Sequence, residues 1–72
     1  MKIDLHGIKH ADVSRRLDKF FWECMQKKVS QVTIVTGISP KMKEIVVDVC
    51  KEYKFNILEL SANPGSLIVD IA

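Results

Sequence analysis

The spacing of apolar residues changes period at Gly7, and that change constrains the fold more than any other feature of the chain. Before the glycine, Ile3-Asp4-Leu5-His6 alternates apolar and polar, the period of two expected of a strand with one buried face. After it, from about His10 to Lys28, Val13, Leu17, Phe20, Phe21 and Cys24 recur three and four apart and form one stripe of an amphipathic helix. Asp12 falls in the first turn of that helix and Lys27 and Lys28 in its last, placements that complement the helix dipole. Gln31 to Thr36 is dominated by β-branched residues (Val32, Thr33, Ile34, Val35) and reads as a buried strand ended by Gly37. Ser39-Pro40 is a helix-start signal, a capping hydroxyl followed by proline in the first turn. It predicts a second helix from roughly Pro40 to Lys54, packed through Met42, Ile45, Val46, Val49 and Tyr53. Phe55 to Ser61 reads as a third strand, Asn63-Pro64-Gly65-Ser66 as a turn, and Leu67 to Ile71 as a fourth strand.

The order βαβαββ predicts an α/β chain built as an α+β two-layer sandwich: a four-stranded mixed sheet with two helices on one face and the other face open. Strands separated by helices are expected to pair in parallel through right-handed crossovers, and the last two to form an antiparallel hairpin. At 72 residues the chain has room for one core, so residues 1–72 are read as one domain. A chain this short buries only roughly 60% of the surface its unfolded form exposes. A deep cavity would hollow out most of the core, which points to a surface groove suited to a polymer or a protein partner.

The apolar fraction of 47% with 28% charged residues excludes a disordered tail. The formal charge of +2, from 11 basic and 9 acidic side chains, permits binding to phosphate backbones without demanding it. Cys24 and Cys50 fall on or beside apolar helix faces and lack the spacing of a zinc site, so they read as small buried hydrophobes. Met1 leads directly into the first strand rather than into a signal sequence, and no stretch approaches the roughly 20 apolar residues that span a bilayer. The expectation is a cytoplasmic protein with no membrane partner. Its oligomeric state, and whether it is part of a larger protein, are left open.

In an open α/β sheet, ligands gather where the carboxyl ends of parallel strands meet helix N-termini. Two loops fit that description: His6-Gly7-Ile8-Lys9-His10 and Thr36-Gly37-Ile38-Ser39-Pro40. If Ile3 and Leu5 pack under the helices, Asp4 and His6 stand side by side on the open face. A carboxylate can then fix the imidazole tautomer and stabilise its charged form, the arrangement of an oriented general base. The bland alternative is that Asp4 and His6 only tie down the neighbouring loop. Gly37 and the start of the second helix offer backbone N–H groups, with Ser39, Lys41 and Lys43 nearby, as a phosphate site; a simple capped helix with solvated lysines reads equally well. Gly37-Ile38-Ser39-Pro40 does not have the pattern of a nucleotide-binding Walker loop. Trp22 lies nearly opposite the apolar stripe, near Arg15 and Lys19, where it could stack on a base or anchor a protein contact.

Asp4-Leu5-His6-Gly7, closing a first strand and followed by a long helix, resembles the signature of the small MutS-related (Smr) domain. Val32 to Gly37 resembles that family's second motif, a Thr-Gly-x-Gly or His-Gly-x-Gly turn, and Asn63 to Ile71 its closing glycine turn and apolar strand. The resemblance covers the whole chain and implies a minimal stand-alone Smr domain. It implies binding to DNA or RNA and endonuclease activity, nicking DNA or cutting RNA. Asp4 and His6 would be catalytic, and Gly7, Lys9, His10, Thr36, Gly37, Ser39, Lys41 and Lys43 would bind nucleic acid. A divalent cation such as Mg2+ is left open as a cofactor. The alternative is a non-catalytic nucleic-acid-binding or protein-interaction module. The chain departs from the family at Ser39, where a second glycine is common. It departs also in the loop before the second helix, reduced to Ile38-Ser39-Pro40, and at Lys9, where a capping threonine is frequent.

Overall fold

The computed structural model describes residues 1–60 and 65–71. Its elements are β1 (Lys2–Asp4), α1 (His10–Gln26), β2 (Gln31–Val35), α2 (Pro40–Glu52), β3 (Asn56–Leu60) and β4 (Ser66–Asp70), the expected βαβαββ order. The strands form one mixed sheet in the order β1-β2-β4-β3. β1 pairs with β2 in parallel, Ile3 opposite Ile34, while β4 pairs antiparallel with β2 on one side and β3 on the other. The parallel pairing expected on either side of a helix therefore holds for β1 and β2 only. β2 and β3 run the same way without touching, because β4 lies between them. Asn63 and Pro64, read as the start of the last turn, lie outside the described residues.

Alternation decides which face of the sheet is covered. Val32 and Ile34 on β2 stand opposite Val69 and Leu67 on β4, and all four are buried. They join Val13, Leu17, Phe20, Phe21 and Cys24 of α1 and Met42, Val46, Val49 and Cys50 of α2 in a single core, so both helices lie on one face. Thr33, Val35 and Ile68 alternate onto the other face and are only half-buried. Leu58 marks a break in the β3–β4 register and is exposed. Phe21 anchors the helix–sheet junction, with edge-on ring contacts to Tyr53 at 5.3 Å and Phe55 at 5.0 Å. The Tyr53 hydroxyl donates to Asp18 Oδ1 at 2.6 Å and ties the end of α2 to α1.

Both helices stop in the same way. In α1 the Val29 amide donates to Cys24 O and the Lys28 amide to Met25 O; in α2 the Phe55 amide donates to Cys50 O and the Lys54 amide to Lys51 O. These are paired Schellman bonds, which need a left-handed residue after the cap. Lysines fill that position, with φ of 56° at Lys28 and 61° at Lys54. Lys27 and Lys28, expected in the last turn of α1, consequently lie just beyond it. At the other end, α2 is capped by Ser39 Oγ, which accepts from the Met42 amide at 3.2 Å behind the expected proline. α1 has Lys9 at its N-cap and no side-chain cap there, and in its first turn the Asp12 amide donates to Lys9 O at 2.9 Å. No helix among the described residues is long and apolar enough to cross a membrane.

Candidate functional site

β1 was expected to run to His6 and stops at Asp4. The Asp4 carboxylate ends it by accepting the His6 amide on Oδ1 at 2.9 Å, and the Ile8 amide then returns to Leu5 O at 3.0 Å. With Gly7 at φ 83° as the third residue, this is the pattern of a type II turn, which requires positive φ there. Leu5 is fully buried beneath the helices while Asp4 and His6 are exposed, as the alternation along the strand implies. The pairing of carboxylate with imidazole is not made, however, because Oδ1 holds the backbone amide instead. Asp4 thus fixes the direction in which residue 6 leaves the strand, and Oδ2 accepts no hydrogen bond among the described residues.

Because β1 and β2 are parallel neighbours, their C-terminal loops meet. A Cβ built on Gly37, at φ 70°, would fall 2.8 Å from Cδ2 of His6, 3.7 Å from Cγ and 3.9 Å from Nε2. The imidazole therefore rests on the bare Cα of Gly37, where glycine suits the positive φ and where an added Cβ would push the ring away.

The Gly37 amide is not the unpaired anion donor that the sequence suggests. It donates to Gly65 O at 3.0 Å, and the Thr36 amide donates to the same carbonyl at 2.7 Å. The Thr36 hydroxyl, 2% exposed, lies 2.9 Å from Gly37 O and 3.2 Å from Gly65 O, so it faces inward. Ser39 Oγ is engaged as the α2 cap. Gly65 was read only as a turn glycine. Its role as acceptor for the second loop could not be seen locally, since it depends on β4 lying beside β2.

Lys9 and His10, which lead from the first loop into α1, are exposed, as is Lys41 in the first turn of α2, while Lys43 is half-buried. Ile38 projects from the loop tip at 82% exposure. Trp22 is 61% exposed on the outer side of α1, about 18 Å along the helix axis from His10 at 1.5 Å per residue. Arg15 pairs with Asp12 at 3.0 Å on the same helix, a surface contact of little energetic weight. Trp22 is thus separate from the His6 site. Among the described residues there is no cluster of three or more His, Cys, Asp or Glu side chains that could hold a metal ion.

Comparison with curated proteins and with solved structures gives no match. The Smr domain model matches residues 3–64, from β1 through β3 and including both loops that converge on the imidazole, and the chain belongs to the Smr domain family.

Proposed function

We propose that this Smr domain binds nucleic acid and cleaves its phosphodiester backbone, nicking DNA or cutting RNA. The observation that supports this reading is the exposed His6 ring seated against Gly37, on a surface that a polymer can reach from outside. His6 takes the proton from the attacking oxygen as the new P–O bond forms, and returns it to the leaving oxygen as the old one breaks. Asp4 orients residue 6 through its amide rather than through the ring. A divalent cation, where the reaction uses one, would be held by the Asp4 carboxylate and would neutralise charge developing on the phosphate. Lys9, Lys41 and Lys43 supply positive charge for the backbone, and His10 an exposed ring that can hydrogen-bond to it.

A second reading, binding without cleavage, is favoured by one observation: Asp4 Oδ1 holds the backbone amide of His6 and does not orient the imidazole as a base. Incubation with supercoiled plasmid and with single- and double-stranded RNA, with and without chelator, decides between them. Cleavage by the parent that is lost in both His6→Ala and Asp4→Ala, with folding intact, supports the nuclease. Salt-sensitive binding with intact substrate supports the binding module. Equal cutting by parent and variants would mark a contaminant and remove the nuclease reading.

A further inference from the structure

We infer that Thr36 is a positioning residue for His6 and makes no contact with substrate, its buried hydroxyl setting the glycine surface on which the imidazole rests. The inference concerns the same site as the nuclease reading and rests on it for any effect on catalysis. The sequence places Thr36 among the nucleic-acid-binding residues, but a side chain with 2% exposure has no surface to offer a phosphate.

Its hydrogen bonds show what it does instead. Gly37 is the least restrained kind of residue, free to take either sign of φ, so the seat for His6 is only as fixed as the two peptide planes flanking its Cα. The plane before Gly37 is held by its amide on Gly65 O. The plane after it is held by Gly37 O, which accepts from Thr36 Oγ1 at 2.9 Å. A hydroxyl carries one proton, so it serves either Gly37 O or the more distant Gly65 O at 3.2 Å. Gly65 O already has two amide donors for its two lone pairs, which leaves the Gly37 carbonyl as the acceptor that needs the hydroxyl. Removing the hydroxyl alone therefore frees the second plane while the first stays pinned.

Thr36→Val keeps the shape and branching of the side chain, suits the end of a strand, and leaves no donor at Gly65 O missing except the third. The domain should fold, and unchanged ring contacts among Phe21, Tyr53 and Phe55 would verify that it has. The readout is the proton NMR cross-peak between His6 Hδ2 and the Gly37 α-protons. It should be strong in the parent, fall at least two-fold in Thr36→Val, and return in Thr36→Ser, which restores the hydroxyl. Where the parent cleaves nucleic acid, Thr36→Val should lower kcat about ten-fold with KM unchanged, since no substrate contact is lost. A cross-peak of parental strength in Thr36→Val, or one that Thr36→Ser fails to restore, overturns the inference. A parent that cuts nothing refutes the nuclease reading alone, because the cross-peak measures the seat without any substrate.

Discussion

Replacing Gly37 with alanine separates the two demands made on that residue. The first is backbone conformation. At φ 70° an alanine lies in the left-handed region, which costs an L-residue about 1–2 kcal/mol. The unfolded chain loses some freedom with alanine, which offsets about 0.4–1 kcal/mol. The net loss is on the order of 1 kcal/mol, or roughly 4–8 °C in Tm for a domain of this size. The second demand is space. The new Cβ would lie 2.8 Å from His6 Cδ2, where ordinary contact begins at 3.4 Å, so the ring must retreat by about 0.6 Å. His6 is exposed and can swing away without disturbing the core, so this displacement adds little to the stability loss. Where the domain cleaves nucleic acid, the displacement should be felt in the rate, since misplacement by about 1 Å can cost on the order of 10²-fold. Calorimetry and single-turnover cleavage on Gly37→Ala should therefore disagree, with a small drop in Tm beside a large drop in rate and a shifted His6 Hδ2 resonance. An unshifted resonance would refute the contact. A Tm loss above roughly 20 °C would show that Gly37 supports the core rather than the imidazole.

Three further outcomes are expected. Burial pushes the Cys50 thiol up to about 11, and the hydrogen bond to Asp18, followed by burial, pushes the Tyr53 hydroxyl up to about 12. Both folded-state values lie above the unfolded ones of 9.0 and 10.0, so the stability they confer is complete below pH 9 and declines as pH rises through 11 and 12. The urea midpoint should fall between pH 8 and about 11, less steeply in Tyr53→Phe; a flat profile would contradict the assignment. Lys54→Gly should raise Tm by roughly 4 °C, because glycine takes the left-handed position after α2 without the side-chain penalty; a lowered Tm would argue against the Schellman geometry. Lys9→Ser should stabilise the uncapped start of α1 by about 1 kcal/mol while weakening nucleic-acid binding and reducing its salt dependence, measured by chemical denaturation and fluorescence anisotropy.

What could be read from the chain alone was what depends on neighbours in sequence. The alternation of Ile3, Asp4, Leu5 and His6 correctly assigns buried and exposed faces, because one buried side chain fixes the parity of a strand. The stripe of α1 places Cys24 in the core and Trp22 outside it, and Ser39-Pro40 marks the start of α2. What escaped were bonds set by strand order. No local pattern says that β4 inserts between β2 and β3, and from that insertion follows the capture of the Thr36 and Gly37 amides by Gly65. Asp4 is a subtler case. Its short carboxylate reaches an amide two residues on more readily than a ring on a separate side chain, so the loop-tying alternative describes its hydrogen bond. Lysines at the two left-handed helix ends gave no warning either, since glycine is the residue that usually announces such a stop.

The central position of β4 has a consequence for biosynthesis. Residues 66–70 follow the other elements of the domain in translation, yet they are the common neighbour without which β2 and β3 have no hydrogen-bonded link. A ribosome-bound chain that has made both helices but not this strand leaves their apolar sides without the Leu67 and Val69 that complete the cover. It also has no Gly65 carbonyl to gather the second loop. The nascent domain can become helical early, but it acquires an ordered resting place for its histidine only when its fourth strand slots into the middle of the sheet.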